Sequence, residues 1–257
     1  MGATNRKWTE EEVKMAINIY CKIPFISTRK SSPEIIKWAN IIGRSPGPLY
    51  TKLCNLGSFD TSMKNIGVRG LSHTGKIDEI IWKEFENNPE QIIYESEQLL
   101  AKKMRKTLIQ QYKINPDELP VGKEREIVIR QRVNQEFFRR VVLMSYGNQC
   151  CITGISHDSL LEACHISSWK YDIKNRTNPR NGLCMNPLFH KAFDSFLFAV
   201  SPDYHIDISE RMIDSAKEEK FKKYLSTLNG EFINMPEKFL PDKSLLALHY
   251  ENYKSHL

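Results

Sequence analysis

No apolar run in the sequence approaches the roughly 20 residues that a membrane-spanning helix needs, so a helical membrane protein is not expected. The opening MGATNRKWTEEE turns acidic within a dozen residues and has no apolar centre, so no signal peptide is expected and the chain reads as cytoplasmic. Its six cysteines, at 21, 54, 150, 151, 164 and 184, contain no Cys-x-x-Cys pair. That absence argues against both a disulfide scaffold and a zinc knuckle, and the thiols are expected to be reduced. Internal repeats and low-complexity tracts are also missing.

What is present is an ordinary globular composition, 40% hydrophobic and 26% charged, in a chain of 257 residues. Such a length accommodates one large domain or two modest ones, each able to bury its own core. The formal net charge is +6, and its distribution is uneven. Between Ala101 and Arg140 there are eleven Lys and Arg against five Asp and Glu, an excess equal to that of the whole chain. Basic charge concentrated in this way suits a polyanion such as nucleic acid, and equally a solvated helix with no partner.

Three short helices are expected between residue 8 and about residue 60. Thr9 and Glu12 form a capping box ahead of Val13, Ile17, Tyr20 and Cys21, and Pro24 ends that helix. Ser32-Pro33-Glu34 starts the second helix and Gly43 stops it, after which Pro46 leads into a third carrying Leu49, Tyr50, Leu53 and Leu56. Two helices joined by a tight glycine turn make a helix-turn-helix arrangement. Arg44, Tyr50, Thr51, Lys52 and Asn55 would then lie on or near the exposed side of the third helix, with Arg44, Lys52 and Asn55 as DNA contacts. The glycine-rich stretch 61–75 reads as a loop and about 78–113 as a long helical connector, with Pro116 and Pro120-Val121-Gly122 marking the domain boundary. The expected organisation is a helical DNA-binding domain over 1–75, a basic helical connector over 76–125 and a second domain over 126–257. The fold class is α+β.

The second domain holds the chemistry. Cys151–Gly154 and Leu160–Ile166 are short apolar runs expected to pair as a hairpin, and the runs at 195–200 and 205–209 form a second. Asn186-Pro187 is an N-cap followed by an N1 proline, so LFHKAFD begins a helix. His190 and Asp194 then lie four residues apart on one face, a pairing that can hold one divalent ion such as Mg, Mn, Ni or Zn. His165 ends a strand, where an imidazole that binds no metal can accept a proton from water. A single histidine is more often a core or surface residue, and His73, His157, His205, His249 and His256 are read that way.

The ordered segments CITG, LLEACHISSW, NPRNGLCMN and FHKAFD resemble the HNH endonuclease family, in the branch with the pattern LLEA-x-HI, NGL and H-x-x-FD. The asparagine stands sixteen residues after the first histidine and nine before the second. The resemblance covers about residues 130–210 and implies a ββα-metal core acting on double-stranded DNA. By the same resemblance His165 corresponds to the general base and Asn181 to the asparagine that orients the site. The resemblance also makes His190 the expected helix metal ligand, with Asp194 as a second. The family usually has Asp or His where this chain has Cys164. The thiol is a third candidate ligand for a soft ion, with a buried packing role as the alternative. Glu162, on the strand face of Cys164, is a weaker candidate for a ligand or for a partner of one. Arg139, Arg140, Lys170, Lys174, Arg176 and Arg180 are candidate phosphate clamps. The implied protein is a restriction or defence nuclease, and cutting both strands with one site per chain would call for a homodimer. A homing nuclease, or a regulator whose HNH core has degenerated at Cys164, are the alternatives.

Overall fold

A computed structural model describes residues 6–65 and 75–257; His73 and most of the expected glycine-rich loop lie outside the described residues. The chain divides into two compact units, Met1–Val141 and Val142–Leu257. The division falls inside a helix, downstream of the prolines at which the sequence suggested the change of domain. Among the described residues no helix is long and apolar enough to cross a membrane.

The first unit is helical. It contains α1 (Glu10–Lys22), α2 (Pro33–Ile42), α3 (Pro46–Gly57), α4 (Thr61–Asn65), α5 (Lys76–Asn87), α6 (Pro89–Lys103) and α7 (Leu108–Tyr112). α8 (Lys123–Ser145) follows and carries the chain into the second unit. α1 starts at the expected capping box: the Glu12 amide donates to Thr9 Oγ1 at 3.3 Å and the Thr9 amide to Glu12 Oε2 at 3.2 Å. It packs against α2, α3, α5 and α6 and is buried around most of its circumference, as a central helix must be. Gly43 takes φ +74°, the left-handed conformation that ends α2 at little steric cost to glycine. The helical stretch after residue 75 is not one rod. It breaks at Asn88-Pro89, and α5 and α6 fold against each other and against α1. The beginning of the expected loop, Thr61–Asn65, is a short helix.

Burial also removes polar side chains of the first unit from solvent. Arg44, Lys52 and Asn55 were expected to face a DNA groove, and all three are buried. The Arg44 guanidinium pairs with Glu12 at 2.6 Å, donates to the carbonyls of Arg6 and Lys7 at 2.8 and 2.9 Å, and lies 4.3 Å from the Trp8 ring. Lys52 Nζ donates to both carboxylate oxygens of Asp78, at 2.6 and 2.7 Å. The expectation fails because the segment before α1 and the start of α5 cover this side of α3. Their charges neutralise one another within the unit, leaving Thr51 among the exposed residues of that helix.

In the second unit β1 (Glu162–His165) pairs antiparallel with β2 (Gly182–Met185), in a register that sets His165 opposite Gly182 and Cys164 opposite Leu183. The expected partner, Cys151–Gly154, forms a turn instead. The Cys150 amide donates to Ile155 O and the Gly154 amide to Cys150 O, and Gly154 has φ +71°. A bent backbone cannot supply a ladder, so β1 takes its partner from across a long loop. That loop closes on the Ile166 amide donating to Asn181 O at 2.9 Å. α9 (Pro187–Asp194) packs on both strands and on β3 (Phe198–Val200), which pairs antiparallel with β4 (Ile206–Ile208) as expected. α10 (Glu210–Ser215), α11 (Glu219–Leu228) and α12 (Lys243–Lys254) complete the unit.

α12 is joined to α9 by a ring stack: the imidazole of His249 lies 3.6 Å from the Phe193 ring at an interplanar angle of 3°. Burial pushes the His249 pKa down to about 4, against the opposing pull of the Phe193 carbonyl at 3.3 Å from Nε2. The folded protein thus resists a proton that the unfolded chain binds near 6.5. Stability from this residue is complete above pH 6.5 and is lost as pH falls toward 4, by about 3 kcal/mol in total. Urea unfolding at stepped pH is expected to show that loss, and His249→Gln, which does not titrate, is expected to reduce its slope.

Candidate active site and metal centre

His165 stands at the end of β1, where the chain leaves the sheet for the loop 166–181. Its Nε2 lies 2.9 Å from the carbonyl oxygen of Arg176. A carbonyl can only accept, so Nε2 carries the ring proton and Nδ1 is the basic nitrogen. Burial holds the imidazole pKa below its usual 6.5, against the opposing pull of the Arg176 carbonyl, and nearby His190 lowers it further. The ring is therefore neutral at neutral pH and able to accept a proton.

The loop that supplies this carbonyl is held by the asparagine, which bonds the residue before Arg176. Asn181 is fully buried; its Nδ2 donates to the carbonyls of Ser167 and Asn175 at 3.0 Å each, and its Oδ1 accepts from the Ser167 amide at 2.7 Å. Asp172, Asn175 and Asn178 extend this arrangement as a ladder. Asn175 Nδ2 donates to Asp172 at 2.8 Å, and Asn178 Nδ2 to Asn175 at 2.9 Å. The amide of Asn181 is thus engaged with the loop backbone. The ladder was missed in the sequence, where its signal is an Asp or Asn at every third position from 172 to 181.

His190 lies one turn into α9, whose N-cap Asn186 accepts from the Phe189 amide at 3.0 Å. Glu162 Oε2 is 2.6 Å from His190 Nδ1, and Asp194 Oδ2 is 3.6 Å from Nε2. An ionised carboxylate accepts only, so Glu162 places the proton on Nδ1 and turns the Nε2 lone pair toward Asp194. One ligand atom each from Cys164, His190 and Asp194 lies within 4.8 Å of the others. Cys164 is buried and donates its thiol proton to the His165 carbonyl at 3.7 Å. Burial, with Asp194 and Glu162 adding to it, pushes that thiol pKa well up.

The candidate phosphate clamps are divided. Lys170 and Lys174 are exposed, whereas Arg176 is half-buried with its Nε donating to the Trp169 carbonyl at 2.7 Å. Arg180 is also half-buried. Arg139 and Arg140 lie on α8 within the first unit, half-buried and exposed respectively.

Residues 150–201 match the model of the HNH endonuclease family. The chain carries an HNH domain. No characterised protein in a wider comparison matches the chain. The HNH segment comprises the Cys150 turn, β1, the asparagine-held loop, β2, α9 and β3, and α10 to α12 lie beyond it. HNH domains usually use a divalent ion, and the donor set here fits one. His190 and Asp194 offer an imidazole nitrogen and a carboxylate oxygen, which suit Mg, Mn, Ni or Zn alike. Cys164 as a thiol adds little for a hard ion, and would join as thiolate only for a soft one that displaces its proton.

Proposed function

We propose that this chain is a metal-dependent endonuclease that hydrolyses phosphodiester bonds in DNA. The observation that carries the reading is that His165, His190 and Asp194 line one and the same cavity. His165 Nδ1 takes a proton from the attacking water as its oxygen bonds to phosphorus and the bond to the 3′-oxygen breaks. His190 and Asp194 would hold a divalent ion, which would supply positive charge for the transition state and the leaving oxygen. Glu162 orients His190, and Asn181 holds the loop that orients His165. Supercoiled plasmid incubated with the protein and Mg, Mn, Ni or Zn is expected to be nicked or linearised, and excess chelator is expected to stop the reaction. A plasmid that stays supercoiled with every ion would refute the proposal.

DNA affinity is assigned to the exposed basic run Lys102, Lys103, Arg105 and Lys106 at the end of α6, in place of the buried side chains of α3. Changing these four to glutamine is expected to reduce the slope of log affinity against log salt by about 0.9 for each phosphate that is no longer neutralised. Filter binding across a salt series would measure it. A helical unit of this kind joined in one chain to a cutting unit suits an enzyme that engages its DNA before cleavage, as a restriction or defence nuclease does. A homodimer would let one site per chain cut both strands.

A further inference from the structure

The cavity at His165 is larger than the catalytic groups require. Its volume is about 580 Å³, and Trp169, Tyr171, Leu245, Leu248 and Asn252 line it together with His165, His190 and Asp194. The last three of the five added residues belong to α12, outside the HNH segment, so this wall is an addition to the domain. Trp169 meets the His165 ring edge-on at 5.5 Å and 73°. Tyr171 is 79% exposed and Leu248 57% exposed, so large apolar side chains stand uncovered on both the loop and the helix. Cations accompany the rings: the Arg176 guanidinium is 5.3 Å from the Trp169 ring and Lys170 Nζ is 5.2 Å from the Tyr171 ring.

A phosphate would not be suited by this added wall, which offers apolar and aromatic surface with few donors. A flat apolar body with a polar edge would be. Aromatic faces interleaved with cations are the pattern that stacks bases while holding the phosphates between them. We propose that the cavity takes an unpaired nucleobase of the strand being cut, adjacent to the scissile phosphate, with Tyr171 and Leu248 as its stacking walls. Asn252 supplies an amide donor and acceptor for the base edge. A base inside a duplex has both faces covered by its neighbours, so the preferred substrate has an extruded, bulged or single-stranded nucleotide at the cut.

The inference rests on the nuclease reading, and two measurements on the full chain separate them. In the first, KM is compared for duplexes that carry a bulged nucleotide at the cleavage position, with or without its base. The intact bulge is expected to have the lower KM by roughly ten-fold or more, and Tyr171→Ala with Leu248→Ser is expected to remove the difference. Equal KM values for the two substrates in the unmodified protein would overturn the inference and leave the nuclease reading in place. In the second, with chelator present, tryptophan fluorescence is followed as each bulged duplex is added. Quenching by the intact duplex but not the abasic one, lost in Trp169→Phe, supports the pocket even if no ion yields cleavage. Identical quenching by both overturns it.

Discussion

His165→Ala is expected to lower the rate of DNA cleavage by about a hundred- to ten-thousand-fold, with DNA affinity and metal affinity close to those of the unaltered chain. The size follows from the proposed role, in which the residue removes a proton from water and does nothing else in the reaction. Its Nε2 is committed to the Arg176 carbonyl at 2.9 Å, so the opposite nitrogen is held as base by a backbone group that cannot rotate away. The half-buried ring leaves only a small space when truncated, and β1 is held by its pairing with β2. His190→Ala is the necessary comparison. It too is expected to abolish cleavage, but with weakened metal binding, because its Nε2 faces Asp194 while Glu162 holds Nδ1. Calorimetry with the metal and single-turnover cleavage distinguish the two. If His165→Ala cuts at the normal rate, the base lies elsewhere. If it loses DNA affinity, its role is structural.

The second large effect concerns stability of the helical unit. Glu97 is fully buried on α6 and accepts from Lys22 of α1, from Asn18 at 2.7 Å and from Gln111 at 2.7 Å. Burial raises its pKa, but Lys22 and the hydrogen bonds from Asn18 and Tyr112 outweigh burial and leave the carboxyl lowered. Glu97→Ala strands the Lys22 ammonium in a buried site and leaves Asn18 and Gln111 without their acceptor. The expected loss is about 3–5 kcal/mol, read as a lower urea midpoint for the transition of this unit. Pairing it with Lys22→Met is expected to recover part of that loss, since the stranded charge goes while the orphaned amides stay. Full recovery would mean that the amides contribute nothing. No loss in Glu97→Ala would mean that the pair is not buried in solution.

Much of the local fold, including the helix that carries His190, was legible because its signals are local. The Thr9 capping box, the Asn186-Pro187 start of α9, the His190 to Asp194 spacing and the β3–β4 hairpin all involve residues a few positions apart. Helix and turn geometry alone brings such residues together. The order of histidine, asparagine and histidine was equally readable, and led to the HNH family. Glu162 was only a weak candidate. Its contact with His190 spans 28 residues and depends on how β1 packs against α9.

The sequence by itself determined the caps, the helix starts, the apolar faces and the motif that names the domain, since each is set by neighbours along the chain. Tertiary structure alone decided three things. It paired β1 with β2 across the loop that Asn181 holds, where an apolar run nearer in sequence was the expected partner. It covered α3, so that Arg44 and Lys52 answer Glu12 and Asp78 and not a phosphate. It brought α12 to the cavity beside His165. The reason is common to all three: a period or a cap specifies which way a side chain leaves its own element. Which distant surface meets it is set by the burial of apolar area and the pairing of buried charge over the whole unit, quantities that no local window contains.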